Sequence, residues 1–356
     1  MLYELLYPLT PHFTPLNLFQ YITFRSAMSA LFSGALVLLL MPTFIRRFSI
    51  RERISEDVPE NHISKEGTPS SGGIVMLIGI IVSSLLWAKP VPLVWIALCS
   101  VLYMGMVGLA DDLIKRRGEK KRGMGKWWKM LLQFILSVGV VLGLAWAYPK
   151  GAFLVQLPFA KNILLNIGYF YAVFAMILFV WTTNSVNLTD GLDGLAAGSA
   201  VPVFGALAAI AYAAGHIKLS EYLSILYIPS AGELAVIASS VLGALLGFLW
   251  FNAHPARVFM GDTGSQALGS AMAIIAILTK HEIVMIIAGG LFMMEALSVL
   301  IQVGYFKLTR GKRVFLCAPI HHHYERKGWP ETTIVIRFWI ISVFFALLAL
   351  STLKIR

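Results

Sequence analysis

Residues 167–214, IGYFYAVFAMILFVWTTNSVNLTDGLDGLAAGSAVPVFGALAAIAYAA, contain two apolar runs joined by a short polar segment. Each run approaches the roughly 20 residues that an α-helix needs to cross a bilayer. The segment between them carries two amides and two carboxylates at intervals of three: Asn184, Asn187, Asp190 and Asp193. Charged groups at the end of a membrane helix are costly unless cations or hydrogen-bond donors meet them. The stretch therefore predicts a helical hairpin in a membrane, with a polar site at its mouth.

The rest of the 356-residue chain repeats this apolar pattern. Hydrophobic residues make up 58% of the chain and charged residues 13%, whereas a soluble domain has about 25% charged residues. The alternation typical of a membrane β-barrel is absent, which leaves a helical bundle as the spanning architecture. We therefore predict an all-α polytopic membrane protein, one integral domain of residues 1–356, with about ten transmembrane helices. Their predicted cores are residues 27–45, 73–88, 92–110, 130–148, 167–183, 194–214, 234–251, 266–279, 283–306 and 334–353.

Basic residues divide unevenly between the two ends of these helices. If the N-terminus lies outside, most of the 29 lysines and arginines fall in connections on the cytoplasmic side, as the positive-inside rule requires. Both termini are thus predicted to lie outside, in the periplasm. The net charge of +11 then reflects membrane topology rather than nucleic-acid binding. The first 25 residues lack a basic region and a small-residue cleavage site, so no signal peptide is expected.

Aspartates are confined to one side of the predicted membrane. The chain has six, all on the cytoplasmic side, and five lie at or just beyond helix ends in three separate connections: Asp111, Asp112, Asp190, Asp193 and Asp262. Because acidic residues contribute little to topology, this one-sided set predicts a shared site. Asp190 and Asp193 are expected to share a helical face, although Asn187 or Asp190 alone is also a good helix N-cap. Carboxylate and amide oxygens suit Mg²⁺, which often shares phosphate oxygens.

Basic and imidazole groups supply the opposite charge on the same side. Lys65 begins the stretch KEGTPSSGG, which leads into the second helix. The glycines of this stretch permit close approach of a phosphate. An ordinary junction between a loop and a helix could have the same sequence. Three consecutive imidazoles, His321, His322 and His323, cannot converge on one metal ion, so we expect them to contact phosphate or carry protons. The predicted site thus combines carboxylates that suit a hard metal ion with basic side chains that suit phosphate, next to lipid. This combination predicts phosphoryl transfer onto a lipid acceptor at the cytoplasmic face.

Four motifs at these positions resemble those of the phospho-N-acetylmuramoyl-pentapeptide transferases: GLADD (108–112), NSVNLTDGLDGLA (184–196), FNAHPARVFMGDTGS (251–265) and APIHHHYERKGWPE (318–331). The likeness covers essentially the whole chain, including the ten-helix layout. The aspartate motifs are shared with the wider polyprenyl-phosphate N-acetylhexosamine-1-phosphate transferase superfamily, whereas the histidine triplet is more specific to this branch. The resemblance implies transfer of phospho-MurNAc-pentapeptide from its UDP carrier to undecaprenyl phosphate in the bacterial inner membrane, giving lipid I and UMP, with Mg²⁺ as cofactor.

The resemblance also implies roles for individual residues. Asp262, with Asp111, would hold the metal, while Asp111 and Asp112 would serve the acceptor phosphate. One acid of that pair would act as the base for direct attack; a covalent aspartyl-phosphate route is the rival. His321 is expected to take part in catalysis at the phosphates. The expected substrate-binding residues are Lys65, Asn184, Asn187, Asp190, Asp193, Asn252, Phe259 (stacking on uracil), Gln302, His322 and His323. A homodimer is compatible with the resemblance.

Two other functions fit parts of the sequence. A transferase that takes UDP-N-acetylglucosamine would share the aspartate motifs. An ion-coupled transporter belongs to another class, but its acidic residues would lie near the bilayer midplane at a repeat interface, and no repeat is evident. Glu295 lies in the ninth predicted helix, which the family likeness suggests is bent or broken after Gly289 and Gly290. This acid either lines a lipid groove or is a neutral or paired residue inside the bundle.

Overall fold

The computed structural model describes residues 1–48, 68–116, 123–159 and 163–354. Within them the chain is almost entirely helical, with fourteen α-helices and two short strands. Strands β1 (Leu154–Gln156) and β2 (Leu164–Asn166) pair antiparallel, with Val155 opposite Leu165. The helices are α1 (Leu2–Leu6), α2 (Ile22–Phe48), α3 (Gly73–Trp87), α4 (Pro92–Arg116), α5 (Lys126–Ala147), α6 (Phe170–Thr189), α7 (Leu195–Ala214), α8 (Ile217–Leu223), α9 (Glu233–Asn252), α10 (Gly261–Thr279), α11 (Glu282–Ala288), α12 (Gly290–Leu308), α13 (Ile320–Arg326) and α14 (Glu331–Ser351).

The prediction of a polytopic helical membrane protein is confirmed. Among the described residues, eight helices are long and apolar enough to cross a membrane: α2, α4, α5, α6, α7, α9, α12 and α14. Nine of the predicted cores overlap one helix each, and the core at 283–306 is divided into α11 and α12 at Gly289. The ninth helix is therefore broken where the family likeness suggests. The two remaining predicted spans correspond to α3, which has only 15 residues, and to α10.

Helix α10 forms the centre of the bundle. All of its residues from Asp262 to Thr279 are buried, and it packs against α3, α4, α6 and α7. Two glycines allow this close approach. A Cβ on Gly108 of α4 would overlap the carbonyl oxygen of Asp262, and a Cβ on Gly73 of α3 would overlap the backbone of Gly264. Small residues that bring helix backbones together are typical of packing between membrane helices, and here they place the end of α4 against the start of α10.

The opposite end of the bundle is held by buried ion pairs. Arg25 at the start of α2 binds Glu233 at the start of α9, with Nη2 2.6 Å from Oε1, and also donates to the carbonyl oxygen of Trp87. Lys280, which follows α10, lies 3.4 Å from Glu282 and donates to the carbonyl oxygen of Ala152. Buried charges of this kind persist only when they are paired and hydrogen-bonded. These groups therefore serve the packing of the helices at that end.

Candidate active site

Three aspartates from two helices meet where α4 ends and α10 begins. Asp111 and Asp112 lie in the last turns of α4, and Asp262 is the second residue of α10. All three are buried, and one carboxylate oxygen from each lies within 4.8 Å of the others. Two of the three acidic connections predicted from the sequence thus supply carboxylates to one point. We refer to Asp111, Asp112 and Asp262 as the acidic centre.

Asp112 binds the first turn of α10. Its Oδ1 accepts a hydrogen bond from the backbone nitrogen of Asp262 at 3.0 Å, and its Oδ2 accepts from the backbone nitrogen and the hydroxyl of Thr263 at 3.1 and 2.6 Å. The first N–H groups of a helix have no partner within the helix, and negative charge there is favourable. Asp112 therefore fixes the position of Asp262 relative to α4.

Two lysines bridge the other two acids. The Nζ atom of Lys115 lies 2.8 Å from Asp111 Oδ2 and 3.1 Å from Asp262 Oδ1. The Nζ atom of Lys129, on α5, lies 2.9 Å from Asp111 Oδ2 and 2.5 Å from Asp262 Oδ2. These two ammonium groups offset the charge of the paired carboxylates. Neither lysine is among the predicted site residues. Both belong to the basic stretch 115–129, for which the sequence left open a role as a topology anchor, and the i,i+4 spacing of Asp111 and Lys115 was the available signal.

The two asparagines of α6 have different surroundings. Asn187 Nδ2 donates to Asp262 Oδ1 at 3.1 Å and to Ser265 Oγ at 2.8 Å, so it faces the acidic centre. Asn184 Nδ2 donates to the carbonyl oxygen of Val180 and to Gln133 Oε1. Gln133 in turn donates to Gln266 Oε1 at 3.1 Å. Asn184 thus begins a chain of amides that links α6, α5 and α10 beside the centre.

Asp190 and Asp193 lie in the turn between α6 and α7. Helix α6 ends at Thr189, and α7 begins after Gly194, which has a φ of 75°. The expectation that the two aspartates share a helical face is therefore wrong, because the turn interrupts the helix. The alternative that Asn187 or Asp190 caps α7 is also wrong, since Gly194 is the N-cap and no side chain caps it. Burial and the nearby carboxylates of Asp262 and Asp112 raise the pKa of Asp190 to about 7.

Asp193 joins a second polar cluster with His254 and Glu331. His254 Nδ1 lies 3.1 Å from Asp193 Oδ2 and 3.6 Å from Glu331 Oε2. Asp193 Oδ2 also accepts from the backbone nitrogen of Ala256, and the backbone nitrogen of Asp193 donates to Glu331 Oε1 at 2.8 Å. The cluster connects the α6–α7 turn, the α9–α10 connection and the start of α14. Sequence reasoning did not single out His254 or Glu331.

Asn252 and Phe259 belong to the same α9–α10 connection. Asn252 is buried; its Oδ1 accepts from the backbone nitrogen of Gly194 at 3.1 Å, and its Nδ2 donates to the carbonyl oxygen of Val258. The backbone of Phe259 is hydrogen-bonded to Pro69 and Gly72, which precede α3, while its ring is only partly buried. Lys65 lies outside the described residues.

The three histidines of α13 point to three different partners. His321 Nδ1 lies 3.1 Å from Glu295 Oε2, and both side chains are fully buried. His322 Nδ1 lies 2.5 Å from Glu325 Oε2, and His323 Nδ1 accepts from the backbone nitrogen of Leu316 at 3.1 Å. The imidazoles therefore do not converge on a single point, as predicted. Of the two interpretations of Glu295, the buried and paired one is confirmed.

The free nitrogen of His321 faces the α6–α7 turn. Its Nε2 is buried without a hydrogen-bond partner in the part of the chain that the structure describes, and a Cβ on Gly191 would overlap it. Glu295 thus holds one nitrogen of the ring and leaves the other next to Gly191. Gln302, two turns further along α12, accepts from the backbone nitrogens of Val314 and Phe315, so its carbonyl group holds the connection between α12 and α13.

Comparison with known proteins gives the same assignment as the motifs. The model of glycosyl transferase family 4 matches residues 94–280. Relatives named phospho-N-acetylmuramoyl-pentapeptide-transferase match the chain from end to end, with 100% of both sequences covered. The relative from Desulfotalea psychrophila is 48% identical over 360 residues, that from Rickettsia montanensis 46% over 361 and that from Thermodesulfovibrio yellowstonii 45% over 362. This chain belongs to the phospho-N-acetylmuramoyl-pentapeptide transferase family. The residues matched by the family model include the whole acidic centre.

The donor atoms of this transferase's acidic centre suit a divalent cation. Its ligands are carboxylate oxygens within 4.8 Å of one another, which is the chemistry that Mg²⁺ prefers. Both oxygens of Asp112 already accept hydrogen bonds from α10. Asp111 Oδ2 and both carboxylate oxygens of Asp262 instead face the Nζ atoms of Lys115 and Lys129. The carboxylates present therefore fit a divalent cation.

Proposed function

We propose that this protein transfers phospho-MurNAc-pentapeptide from UDP-MurNAc-pentapeptide to undecaprenyl phosphate, which gives lipid I and UMP for peptidoglycan synthesis. The observation that carries the proposal is the buried acidic centre with its two lysines, in a chain that matches transferases of that name over its full length. The protein would act in the bacterial inner membrane, with ten spans, both termini in the periplasm and the acidic centre at the cytoplasmic face. Helices α3 and α10 would complete the ten: α3 is apolar but has only 15 residues, and α10 is enclosed by other helices, so its polar residues need not face lipid.

The proposed reaction is a direct displacement at phosphorus. A phosphate oxygen of undecaprenyl phosphate attacks the sugar-bearing phosphorus of the donor, the bond to the α-phosphate breaks, and UMP leaves. Asp111 accepts the proton of the acceptor phosphate, since its carboxylate faces Asp262 and the lysines, whereas Asp112 is committed to α10. Lys115 and Lys129 stabilise the negative charge that develops on the phosphates. A covalent aspartyl-phosphate route is the rival to direct attack.

Mg²⁺ bound by Asp111 and Asp262 would neutralise diphosphate charge and orient the oxygens for in-line displacement. The carboxylate oxygens of these two acids lie close enough together to bind one ion, which supports a divalent cation there.

The donor would lie along the connections that surround the acidic centre. Asn187 and Asp190 border the centre, and Asp193, Asn252 and the partly buried ring of Phe259 would hold the uridine, together with Lys65. His321 would donate from Nε2 to the donor diphosphate, with Glu295 fixing the ring, and His322 and His323 would lie on the sugar side. Asn184 and Gln302 would support these contacts through the amide chain and the α12–α13 connection.

An assay of UMP release by the purified protein tests the proposal. We expect release with UDP-MurNAc-pentapeptide, undecaprenyl phosphate and Mg²⁺, and none when the lipid is left out. The variant Asp262→Ala is the matched inactive control. Product formed only from UDP-N-acetylglucosamine would overturn the choice of donor. Ion flux into proteoliposomes without any UMP release would instead identify a transporter.

A further inference from the structure

A cavity of about 300 Å³ lies between the second half of α12 and the connection that follows it. Most of its wall is apolar, but Lys307 and Arg313 line it as well. Gln302 is the one lining residue already assigned to the site. The lining residues are Val299, Gln302, Val303, Phe306, Lys307, Arg313, Cys317 and Ala318. The cavity therefore combines an apolar wall with two positive charges.

The positive charges around this cavity have no acidic partners among the residues that the structure describes. Four cations lie within seven residues of the chain: Lys307, Arg310, Lys312 and Arg313. All four are exposed, and among the ion pairs of the described residues none involves them. The positive-inside rule accounts for basic residues on this side of the membrane. It does not account for two of them lining a cavity.

The connection that carries Arg313 is held in place by hydrogen bonds. Gln302 Oε1 accepts from the backbone nitrogens of Val314 and Phe315 at 3.2 and 2.9 Å. His323 Nδ1 accepts from the backbone nitrogen of Leu316, and Arg313 Nη1 donates to the Leu316 carbonyl oxygen at 3.3 Å. A surface that is ordered before its ligand arrives loses less entropy on binding. The two cations are thus presented by a preorganised wall.

We propose that this cavity binds the peptide of the donor substrate, with Lys307 and Arg313 receiving its terminal carboxylate. The proposal rests on the proposed function. A peptide joined to muramic acid through its amino end keeps a free carboxylate at the other end, and its backbone and side chains can lie on the apolar wall. Charge complementarity between an anionic peptide and two unpaired cations is the kind of contact that sets specificity.

The distances along α12 agree with this placement. Gln302 lies about 10 Å along the helix from Glu295, which holds His321 beside the α6–α7 turn. An extended pentapeptide spans at most about 17 Å, which exceeds the roughly 10 Å along α12 between Glu295 and Gln302.

The test compares two double variants of the full-length protein that lose the same charge from the same segment. Lys307→Ala with Arg313→Ala changes the cavity, and Arg310→Ala with Lys312→Ala is the control. UMP release is measured with UDP-MurNAc-pentapeptide and with UDP-MurNAc that lacks the peptide. We expect the cavity variant to raise the KM for the peptide donor by about fivefold or more, with the KM for the peptide-free donor within twofold of wild type. The control variant should change neither.

Each other outcome contradicts the proposal in a different way. Equal effects of the two double variants would indicate a general electrostatic role, such as binding of acidic lipids. A raised KM for undecaprenyl phosphate alone would assign the cavity to the acceptor. Equal effects on both donors would place the contacts on the sugar or nucleotide rather than on the peptide. Failure of the wild-type protein to release UMP from either donor would overturn the proposed function itself, and this inference with it.

Discussion

Lys129 contacts both Asp111 and Asp262 and lies only partly exposed between them. Its replacement by methionine keeps the length of the side chain but leaves the two carboxylates with less compensating charge. We expect Lys129→Met to lower kcat for UMP release by about a hundredfold, the usual effect of losing one electrostatic contact to a transition state. Lys126→Met is the control, because Lys126 lies on the same helix over the ring of Trp127. Near-normal turnover of Lys129→Met would make the bridging lysine dispensable.

Asp112 and Asp262 are expected to differ in what their loss does to stability. The carboxylate of Asp112 accepts three hydrogen bonds from the start of α10, and Asp112→Asn would turn an amide group toward N–H donors. We expect this variant to lose turnover and also about 1–3 kcal/mol of unfolding free energy. Asp262→Asn should lose turnover with little change in the unfolding temperature. Thermal unfolding of both variants in the same detergent measures the difference, and equal unfolding temperatures would contradict the capping role of Asp112.

Asp190 makes stability depend on pH in the absence of metal. Its pKa is about 7 in the folded protein against an ordinary value of 3.8, so between these values the folded state keeps a proton that the unfolded state has released. Stability therefore falls as the pH rises through this range. With EDTA present, Asp190→Asn should be more stable than wild type by of order 1 kcal/mol at about pH 8, and the two should converge at about pH 4. A constant difference at both pH values would contradict this assignment.

Among the connections between helices, the contacts of His254 couple three segments. The imidazole lies between Asp193 in the α6–α7 turn and Glu331 at the start of α14. We expect His254→Gln to raise the KM for the UDP donor several-fold with little change in kcat, because it loosens the turn that holds Asp193 without touching the acidic centre. Arg257→Gln, an exposed change in the same connection, is the control. A fall in kcat at unchanged KM would show that His254 acts in the chemical step.

The elements were more predictable from sequence than the contacts between them. Apolar runs set the helices, but α6 continues to Thr189, beyond the predicted end of its apolar core. From its sequence, Asn184 is expected in the connection after the helix, but it lies inside α6. Its amide donates to Gln133 on α5. Likewise Lys129 is one of many basic residues on this face, and only the fold shows that it reaches Asp262, 133 positions away. The sequence pattern of one segment does not show which residues of distant segments it will contact.

At the scale of the whole molecule, the central position of α10 explains how a helix inside a membrane bundle can contain many polar residues and carry Asp262. This helix is enclosed by its neighbours, so its two serines, its two threonines and the glycines within it do not meet lipid. Its N-terminus can then carry Asp262 into a buried centre, with Asp112 as a cap. At the other end of the bundle, the ion pairs Arg25–Glu233 and Lys280–Glu282 are buried among the helices. In the described parts of the chain, the end with the acidic centre places partly exposed lysines beside buried carboxylates, which is what a site for phosphates requires.

Binding of Mg²⁺ to this centre should stabilise the whole bundle, because the ion would join α4 and α10. A ligand that binds only the folded state adds about 2.7 kcal/mol when its concentration is 100 times Kd. We therefore expect Mg²⁺ to raise the unfolding temperature of the wild-type protein in a saturable way, and EDTA to abolish UMP release until Mg²⁺ is restored. Asp262→Asn should lose most of the thermal shift, whereas Glu221→Gln, a change of an exposed acid on α8, should keep it. An equal shift in all three proteins would place the ion elsewhere and remove the metal from the acidic centre.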